Sequence, residues 1–419
     1  MTHAIGDPGW VAWTNGVDAS IAGKLDSTVA GSTYALATEP LAVKLAGDLS
    51  GTVAAPTVPG LALKVNSASL ANQNTRGAGT NALAAITSGA MNTAAGYGAL
   101  AANTTGQYNT ALGYSALAAN IAANGNTAIG NSSLPVATGG NNTAIGGFTL
   151  RALTTGTANV AVGYAALTAA TTAIGCIAIG QQTLDALTTG ANNTAIGTAA
   201  LSANVTGPDN IAIGYHTLNV ATSGPNVAVG NGSMALLTTG TRNTAAGHGT
   251  LAANTTGTTN TAVGDGTLAL NTTGIYNTAV GCDSQKIVTT GNNNTSLGVD
   301  ASAELTTGSS NTTVGVFSGG SGATAGTGSF NTYVGETARH SGSNDPSYAL
   351  GLGSKTAADA NGSVAIGTDS GGVGASSTVA NQFVLGTANH RYLMPGLPTA
   401  NPGAGSGVLW SNAGVVTVA

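Results

Sequence analysis

The segment NTALGYSAL at residues 109–117 decides the fold, because close variants of it return along most of the chain, such as NVAVGYAAL at residues 159–167. The first five positions of the units follow the pattern Asn-Thr-Ala-(Val/Ile)-Gly, with an aliphatic residue always at position four, here Leu112. Eleven of the thirteen steps between units are 17 residues and two are 16, and position five is Gly in all fourteen units. A fixed period of this kind is the signature of a repeat fold. The units begin at residues 92, 109, 126, 142, 159, 176, 193, 210, 226, 243, 260, 277, 294 and 311.

The residue types of the unit predict strands. Seventeen residues are too few for two packed helices, and the Gly, Thr and Asn content disfavours helix. Alternation of small and larger side chains, with β-branched residues, is typical of a strand. We expect Gly at position five, and again near position fifteen, to supply the positive φ of corners. Pro135, Pro208 and Pro225 fall outside the strand pattern. Each unit is therefore predicted to form two short strands and two turns.

Stacking of the units predicts an all-β protein, a β-solenoid or β-roll of about fourteen turns of 16–17 residues each. With neighbouring turns ~4.8 Å apart, the stack would be roughly 65 Å long. Each unit position then becomes a column along the axis, and the main columns carry Asn, Ala, Val/Ile and Leu. Cys176 and Cys282 lie six turns apart, too far for a disulfide. Cys176 replaces the column Asn and is expected to fill a packed slot.

The apolar content of one unit predicts self-association. A turn has one Val or Ile, one Leu and some Ala to bury, which makes a thin core for a free-standing stack. We therefore expect a second apolar surface to be covered by another copy of the chain. A parallel homotrimer is the simplest such assembly.

Composition excludes several classes of protein. Among 419 residues there are 64 Gly but only 11 Pro, without the Gly-X-Y period of collagen, and a hydrophobic content of 42% disfavours disorder. The net charge is −5 and no segment concentrates Lys or Arg, so no nucleic-acid partner is expected. The first residues lack a signal-peptide pattern and no apolar run reaches ~18 residues. We therefore expect that the chain folds in a cytoplasm and does not insert into a membrane.

The repeat resembles the head repeats of trimeric autotransporter adhesins, the YadA-like heads, in the units at 109–117 and 159–167 and in the segment SVAIG at residues 363–367. The resemblance implies a left-handed parallel β-roll in a tight trimer. The usual rule for parallel crossovers favours a right-handed path instead, and we follow the resemblance. Two features differ from the family: the heads typically repeat at fourteen residues, and we find no secretion signal or membrane anchor. These differences favour a relative that assembles inside a cell.

The two ends suggest which relative. The segment AGDLSGTVAAPTVPGL at residues 46–61 resembles a segment common in bacteriophage tail fibres, and GVLWSNAGVVTV at residues 407–418 is similar to the closing β segments of such fibres. The resemblance implies a trimeric, adhesive tail fibre or tail spike of the virion, assembled in the host cytoplasm. Its N-terminus would bind phage tail or baseplate proteins, and its distal end would contact a host cell-surface glycan or protein.

Four regions follow from this interpretation. Residues 1–66 are predicted to attach to the virion, and residues 67–315 to form the repeat shaft with a lead-in unit at 67–91. Residues 316–386 are predicted to be degenerate repeats with loop insertions, and residues 387–419 to form the distal tip. Within the tip, His390, Arg391, Tyr392 and Trp410 are candidate receptor-binding residues, because a planar cation and aromatic faces stack on sugar rings. Alternatively, Tyr392 and Trp410 close the end of the trimer.

No catalytic, metal or cofactor site is predicted. Asp265, Asp283 and Asp300 occupy positions six, seven and seven of successive units, so the carboxylates of Asp283 and Asp300 could reach the ~5–9 Å separation of a glycosidase pair. Solvated surface charges are the favoured interpretation, because a regular shaft offers no cleft. His216 and His248 stand alone, and the Gly-rich segments at 319–322 and 371–374 lack the Asp of calcium-binding repeats.

Two alternative functions remain open at this point. Stacked Thr-Thr pairs at positions thirteen and fourteen suggest a secreted ice-binding solenoid. The acidic residues leave open a polysaccharide depolymerase tail spike, for which shortening of capsule or lipopolysaccharide by the purified protein is the test.

Overall fold

The fold is described from a computed structural model. It covers residues 75–320, 326–340, 345–368 and 372–387, together with the backbone of residues 63–64, 409–412 and 415–418. These residues are all-β, contain no helix and form a parallel β-solenoid of about eighteen turns. The predicted all-β solenoid is therefore confirmed, with more than the fourteen regular turns that were counted, because the later, degenerate repeats also stack. The left-handed path and the trimer stay predictions.

The solenoid is built from very short strands, most of three residues. The strands are β1 (Leu63–Lys64), β2 (Arg76–Ala78), β3 (Thr93–Ala95), β4 (Thr110–Leu112), β5 (Thr127–Ile129), β6 (Thr143–Ile145), β7 (Val160–Val162), β8 (Ile177–Ile179), β9 (Thr194–Ile196), β10 (Asn210–Ile213), β11 (Asn226–Val229), β12 (Thr244–Ala246), β13 (Thr261–Val263), β14 (Thr278–Val280), β15 (Thr295–Leu297), β16 (Thr312–Val314), β17 (Thr332–Val334), β18 (Leu350–Leu352), β19 (Ala357–Ala358), β20 (Val364–Ile366), β21 (Ser376–Ser377), β22 (Phe383–Leu385), β23 (Leu409–Asn412) and β24 (Val415–Val418).

One sheet runs the length of the solenoid. β2 to β18 pair in chain order, followed by β20 and β22, and all these pairings are parallel. Residues at the same position of successive units lie opposite each other, as Ala111 of β4 does to Ala128 of β5. Three pairings stand apart from this stack: β1 is antiparallel to β2, β19 is parallel to β21, and β23 is antiparallel to β24. The sheet crosses residue 315 without a break, because β16 pairs with β17.

The interior holds the Ala column and the Leu column. Ala111 at position three and Leu117 at position nine have no exposed surface, and the same holds for Ala128 and Leu134 one turn further on. The Val/Ile column at position four faces outward, so it adds nothing to this core. The sequence interpretation, which counted Val/Ile among the residues that a turn buries, was wrong on this point. In a pleat, positions three and four face opposite sides, and the smaller residue faces the narrow interior.

Each regular turn forms one strand and not the two that were predicted. After position five the backbone bends repeatedly and forms no second strand. Alternate N–H groups of this segment still donate to the next turn of the solenoid, as Leu100 N–H does to Ala116 O at 3.0 Å and Ala102 N–H to Ala118 O at 2.9 Å. Leu100 has a φ of 51°, in the left-handed region, and the Leu column repeats this at every regular turn. Left-handed φ costs roughly 1–2 kcal/mol for a non-Gly residue. Full burial of the Leu side chain returns about as much.

Glycine is required at two positions for different reasons. At position five, Gly113 has a φ of 137°, as predicted for a corner. At position fifteen the prediction of positive φ was wrong, because Gly156 has no such φ. A Cβ on Gly156 would lie 2.2 Å from Ala173 O of the next turn. Glycine is kept there because the turns approach each other too closely for a side chain.

A buried ladder of Asn side chains joins the turns. Asn277 illustrates the pattern: its N–H donates to Oδ1 of Asn260 at 2.9 Å, and its Nδ2 donates to Gly291 O at 2.7 Å. The Asn column has at most a few per cent exposure, so these amides replace water for the backbone of each turn. The sequence predicted the column, and the structure supplies its reason.

Cys176 interrupts the ladder. Its N–H donates to Asn159 Oδ1 at 3.0 Å, but its own side chain offers the N–H of Asn193 only a sulfur, which is a weak acceptor. The thiol is fully buried and donates weakly to Gly190 O at 3.4 Å. Burial raises the pKa of Cys176. Both cysteines are free, in agreement with the predicted distance between them.

The substitution Cys176→Asn is expected to stabilise the protein. An amide there would accept the N–H of Asn193 and donate to Gly190 O, so the ladder would become continuous, with a gain of about 1 kcal/mol in the free energy of unfolding. Urea unfolding followed by circular dichroism measures it. Cys282→Asn, at an exposed position, is the matched control and should leave the midpoint unchanged. An unchanged midpoint for Cys176→Asn would contradict the importance of the ladder.

Candidate interaction surface

The outward face of the parallel sheet forms a regular surface along the whole stack of turns. We call it the strand face: the side chains at positions two and four of every turn from β3 to β22. At position four, Ile145, Ile179 and Ile213 are each 37–38% exposed, and Val229 and Val263 are 39% exposed. These side chains stack in one row, because each strand pairs in register with the next. The row makes a continuous apolar stripe.

Position two is mixed in character. Thr occupies most turns. Val160, Ile177, Ile211 and Val227 replace it on both sides of Thr194, and Leu350, Val364 and Phe383 replace it in the last turns. The two positions of the strands from β3 to β22 contain no Asp, Glu, Lys or Arg. Solvated surfaces normally carry charge, and large uncharged apolar stripes mark contact sites.

Aromatic residues border the strand face on both sides in chain order. At position six, the rings of Tyr97 and Tyr114 stack with centroids 5.4 Å apart. At the last position of two longer units, the rings of Phe330 and Tyr348 stack with centroids 5.0 Å apart. All four side chains are more than half exposed. An apolar centre with aromatic residues around it is the composition expected of a protein interface.

The three acidic residues singled out in the sequence do lie on adjacent turns. Asp283 N–H donates to Asp265 O at 2.9 Å, and Asp300 N–H donates to Cys282 O, also at 2.9 Å. Two of the carboxylates have separate partners: Asp265 Oδ1 lies 3.1 Å from His248 Nδ1, and an Asp283 oxygen lies 3.2 Å from Lys286 Nζ.

The surroundings of this acidic group are open to solvent. The side chains of His248 and Asp265 are 75% and 65% exposed. Partial desolvation, together with the negative charges of Asp283, Asp265 and Asp300, raises the pKa of the Cys282 thiol. Among the described residues, no group of three or more His, Cys, Asp or Glu is placed to hold a metal ion.

In the later turns a polar stretch replaces the apolar core. This stretch was not predicted from the sequence. Gln285 Nε2 donates to Ser296 Oγ at 2.8 Å, and Thr313 Oγ1 contacts both Ser296 Oγ and Ser302 Oγ at 2.8–2.9 Å. Gln285 and Ser302 stand where earlier turns have Leu, and Ser296 and Thr313 where they have Ala. These exchanges in two columns were the available signal.

A small cavity of about 20 Å³ lies next to this stretch, lined among others by Ser302, Thr313, Tyr333 and His340. Its volume suits a single water molecule. Tyr333 is buried and donates to Ala358 O at 3.1 Å, and burial, with smaller contributions from Asp359 and Asp345, raises the pKa of this phenol above its ordinary value. Tyr333 therefore stays a neutral donor.

The predicted receptor-binding residues cannot be compared with this surface. His390, Arg391 and Tyr392 lie outside the described residues, and of Trp410 the structure gives only the backbone, within β23. Most of the predicted attachment region at 1–66 also lies outside them. Nothing in the portion of the chain that is described has the length and apolarity of a membrane-crossing helix.

Comparison of this chain with protein-family models, with curated proteins and with solved structures found no match. The class of protein is therefore defined by the fold alone, a parallel β-solenoid built from a repeat of 16–17 residues.

Proposed function

We propose that the chain is a structural and adhesive tail fibre protein of a bacteriophage. In this proposal it forms an elongated homotrimer that attaches to the virion by its N-terminus and contacts a host surface glycan or protein distally. The observation that carries the proposal is the strand face, a continuous uncharged apolar surface along a rigid solenoid. The assignment to phage tails comes from the resemblance of residues 46–61 and 407–418 to tail fibre segments.

Burial of the strand face provides free energy comparable to the cost of association. A Val or Ile that is over one third exposed has roughly 40–60 Å² left to bury, worth about 1 kcal/mol at ~25 cal/mol per Å². Twelve aliphatic side chains at positions two and four have such an exposure, so their sum is about 12 kcal/mol, in the upper part of the roughly 4–15 kcal/mol lost in translational and rotational freedom. A solenoid of this length therefore favours association with a partner of equal length, such as another copy.

The proposal is tested with the purified full-length chain. Sedimentation equilibrium should give three times the chain mass of 40.0 kDa, and labelled protein should bind cells of particular bacterial strains in a panel. Arg391→Ala with Tyr392→Ala should reduce cell binding without changing the mass, and Arg242→Ala, an exposed shaft position, is the control. A monomer that binds no strain would contradict the proposal.

A second candidate, an ice-binding solenoid, is favoured by the Thr column at position two. The Thr-Thr pairs on which the sequence interpretation relied are less suitable, because the first hydroxyl of each pair donates to a backbone carbonyl of the next turn, as Thr238 Oγ1 does to Thr255 O at 2.9 Å. The aliphatic interruptions at position two and the protruding Tyr97 and Tyr114 also break the flatness of the face. Thermal hysteresis in a solution of the purified chain would support this candidate, and its absence would exclude it.

A further inference from the structure

A second apolar column lies elsewhere on the solenoid, at position eleven. We call it the edge column. Its members are aliphatic in thirteen successive turns, and three of the larger ones are prominently exposed: Val136 at 41%, Leu236 at 54% and Leu270 at 48%. The edge column consists of Ala85, Ala102, Ala119, Val136, Ala152, Ala169, Ala186, Ala203, Val220, Leu236, Ala253, Leu270 and Ile287.

The interior of the solenoid does not explain this column. The neighbouring position ten, only partly buried in most turns, accepts Arg151, Asp185 and Lys286, so polar and charged residues are tolerated beside it. The exclusion of polar residues at position eleven therefore reflects something outside the single chain. Exposed aliphatic rows without charge mark contact surfaces.

The backbone fixes the edge column in place. Its N–H groups donate to the carbonyl of position ten in the next turn, as Leu236 does to Ala252 at 3.2 Å and Leu270 to Lys286 at 3.1 Å. The side chains thus stand in a row with the same turn-to-turn spacing as the strand face. Because the edge column and the strand face have the same spacing, the edge column of one copy can pack residue by residue against the strand face of another copy.

The two rows never place two of the largest side chains in the same turn, and in ten of the twelve turns at least one of the two residues is larger than Ala. Of the six turns with Leu or Ile at position four, the edge residue is Ala in four and Val in two. The three turns with Leu or Ile in the edge column all have Val at position four, and in no turn are both residues Leu or Ile. The pairs are Ala95 with Ala102, Leu112 with Ala119, Ile129 with Val136, Ile145 with Ala152, Val162 with Ala169, Ile179 with Ala186, Ile196 with Ala203, Ile213 with Val220, Val229 with Leu236, Ala246 with Ala253, Val263 with Leu270, and Val280 with Ile287.

We propose that the edge column of one copy packs against the strand face of a second copy in the same-turn register. This inference rests on the self-association in the proposed function and specifies its contact. A closed cyclic assembly of three copies uses two different patches on each chain. It also has no axial shift between copies, so position four meets position eleven of the same turn, where no two of the largest side chains meet.

The contact has a defined end. In the unit that begins at Asn294, position eleven is Glu304, although Leu297 at position four is still apolar. The same turns contain the polar stretch of the interior. Direct packing of the two rows therefore runs from the unit at residue 92 to the unit at residue 277, and ends before Glu304.

The proposal is tested by cysteine pairing in the full-length chain carrying Cys282→Ser. Val263→Cys and Leu270→Cys are made in separate, differently tagged chains, which are co-expressed and exposed to oxidised glutathione. We expect disulfide-linked dimers containing both tags, and a covalently closed three-chain product from the chain carrying both substitutions. Leu236→Cys with Val263→Cys, displaced by two turns or ~10 Å, is the control and should not link, because a disulfide needs Cα atoms within ~7 Å.

The outcomes separate this contact from the proposed function. Linking by Val263→Cys alone would mean that strand faces meet one another, and would overturn the proposal. If sedimentation shows a trimer but no disulfide forms between Val263→Cys and Leu270→Cys, the proposed contact is wrong, whereas the proposed fibre function is not affected. A monomer would end both.

A charge substitution gives a second measurement. Leu270→Asp should weaken association at least tenfold, because it places a carboxylate in the apolar contact. Thr273→Asp, an exposed position in the same turn, should leave association unchanged. Equal association of the two variants would contradict the proposed contact, provided that circular dichroism shows both to be folded.

Discussion

Replacement of Asn260 by Leu is expected to lower the free energy of unfolding by about 3–5 kcal/mol, although the two side chains have the same number and branching of heavy atoms. Asn260 has no exposed surface. Its Oδ1 accepts the N–H of Asn277 at 2.9 Å, and its Nδ2 donates to Asn243 Oδ1 at 3.1 Å and to Gly274 O at 2.8 Å. Leu removes all three hydrogen bonds and leaves a buried N–H without an acceptor, which costs roughly 1–3 kcal/mol by itself.

Thermal and urea unfolding followed by circular dichroism measure this loss. Gln181→Leu is the matched control, since Gln181 is an exposed amide on the same solenoid, and it should shift the midpoint little. Asn260→Asp keeps an acceptor for Asn277 N–H but loses the donor, and we expect it to lie below wild type at neutral pH because it buries a charge. Similar midpoints for Asn260→Leu and Gln181→Leu would show that the ladder adds little stability.

Gly264→Ala is expected to be the second severe substitution, in contrast to Gly249→Ala. Both glycines have positive φ, 134° for Gly264 and 60° for Gly249. A Cβ on Gly264 would lie 2.6 Å from the backbone carbon and oxygen of Gly281 in the next turn, whereas a Cβ on Gly249 meets nothing within 4 Å. The first variant must therefore separate two hydrogen-bonded turns, and the second only strains its own φ.

Gly249→Ala measures the cost of an ordinary left-handed φ alone, whereas Gly264→Ala combines the clash with the greater strain of a φ of 134°. Gly249→Ala should lose about 1 kcal/mol, the usual penalty for a left-handed Ala, and Gly264→Ala at least about 3 kcal/mol more. Chemical unfolding of both variants, with the unfolding slope compared, is the measurement. Equal losses would mean that the turns move apart without cost and that close stacking does not determine the Gly at position five.

Much of the fold was accessible from residues that recur. The period predicted the stacked turns, Gly113 and its equivalents predicted the corners, and Pro135 fell outside the strands as expected. Asn260 and its equivalents were recognised as a column, but their hydrogen bonds to the next turn were not predicted. A polar residue that recurs at one position is compatible with either a buried or an exposed column. The polar stretch around Ser296 was also missed. A single Ser in a column of small residues has little effect, and the interior becomes polar only where several such substitutions lie close enough to form hydrogen bonds with one another.

The sequence by itself determined the period, the stacking of like on like and the places where the chain turns, because these depend on local residue types and their spacing. Only the tertiary structure decided that Val263 faces outward while Ala262 faces inward, that Leu268 takes a left-handed φ, and that Gly274 is small because Gly291 O lies 2.4 Å from where its Cβ would be. A strand of three residues is too short for its alternation to show which face is inside. That choice is made when the chain closes each turn around an interior that the Ala and Leu columns already occupy, so the residue at position four is left outside.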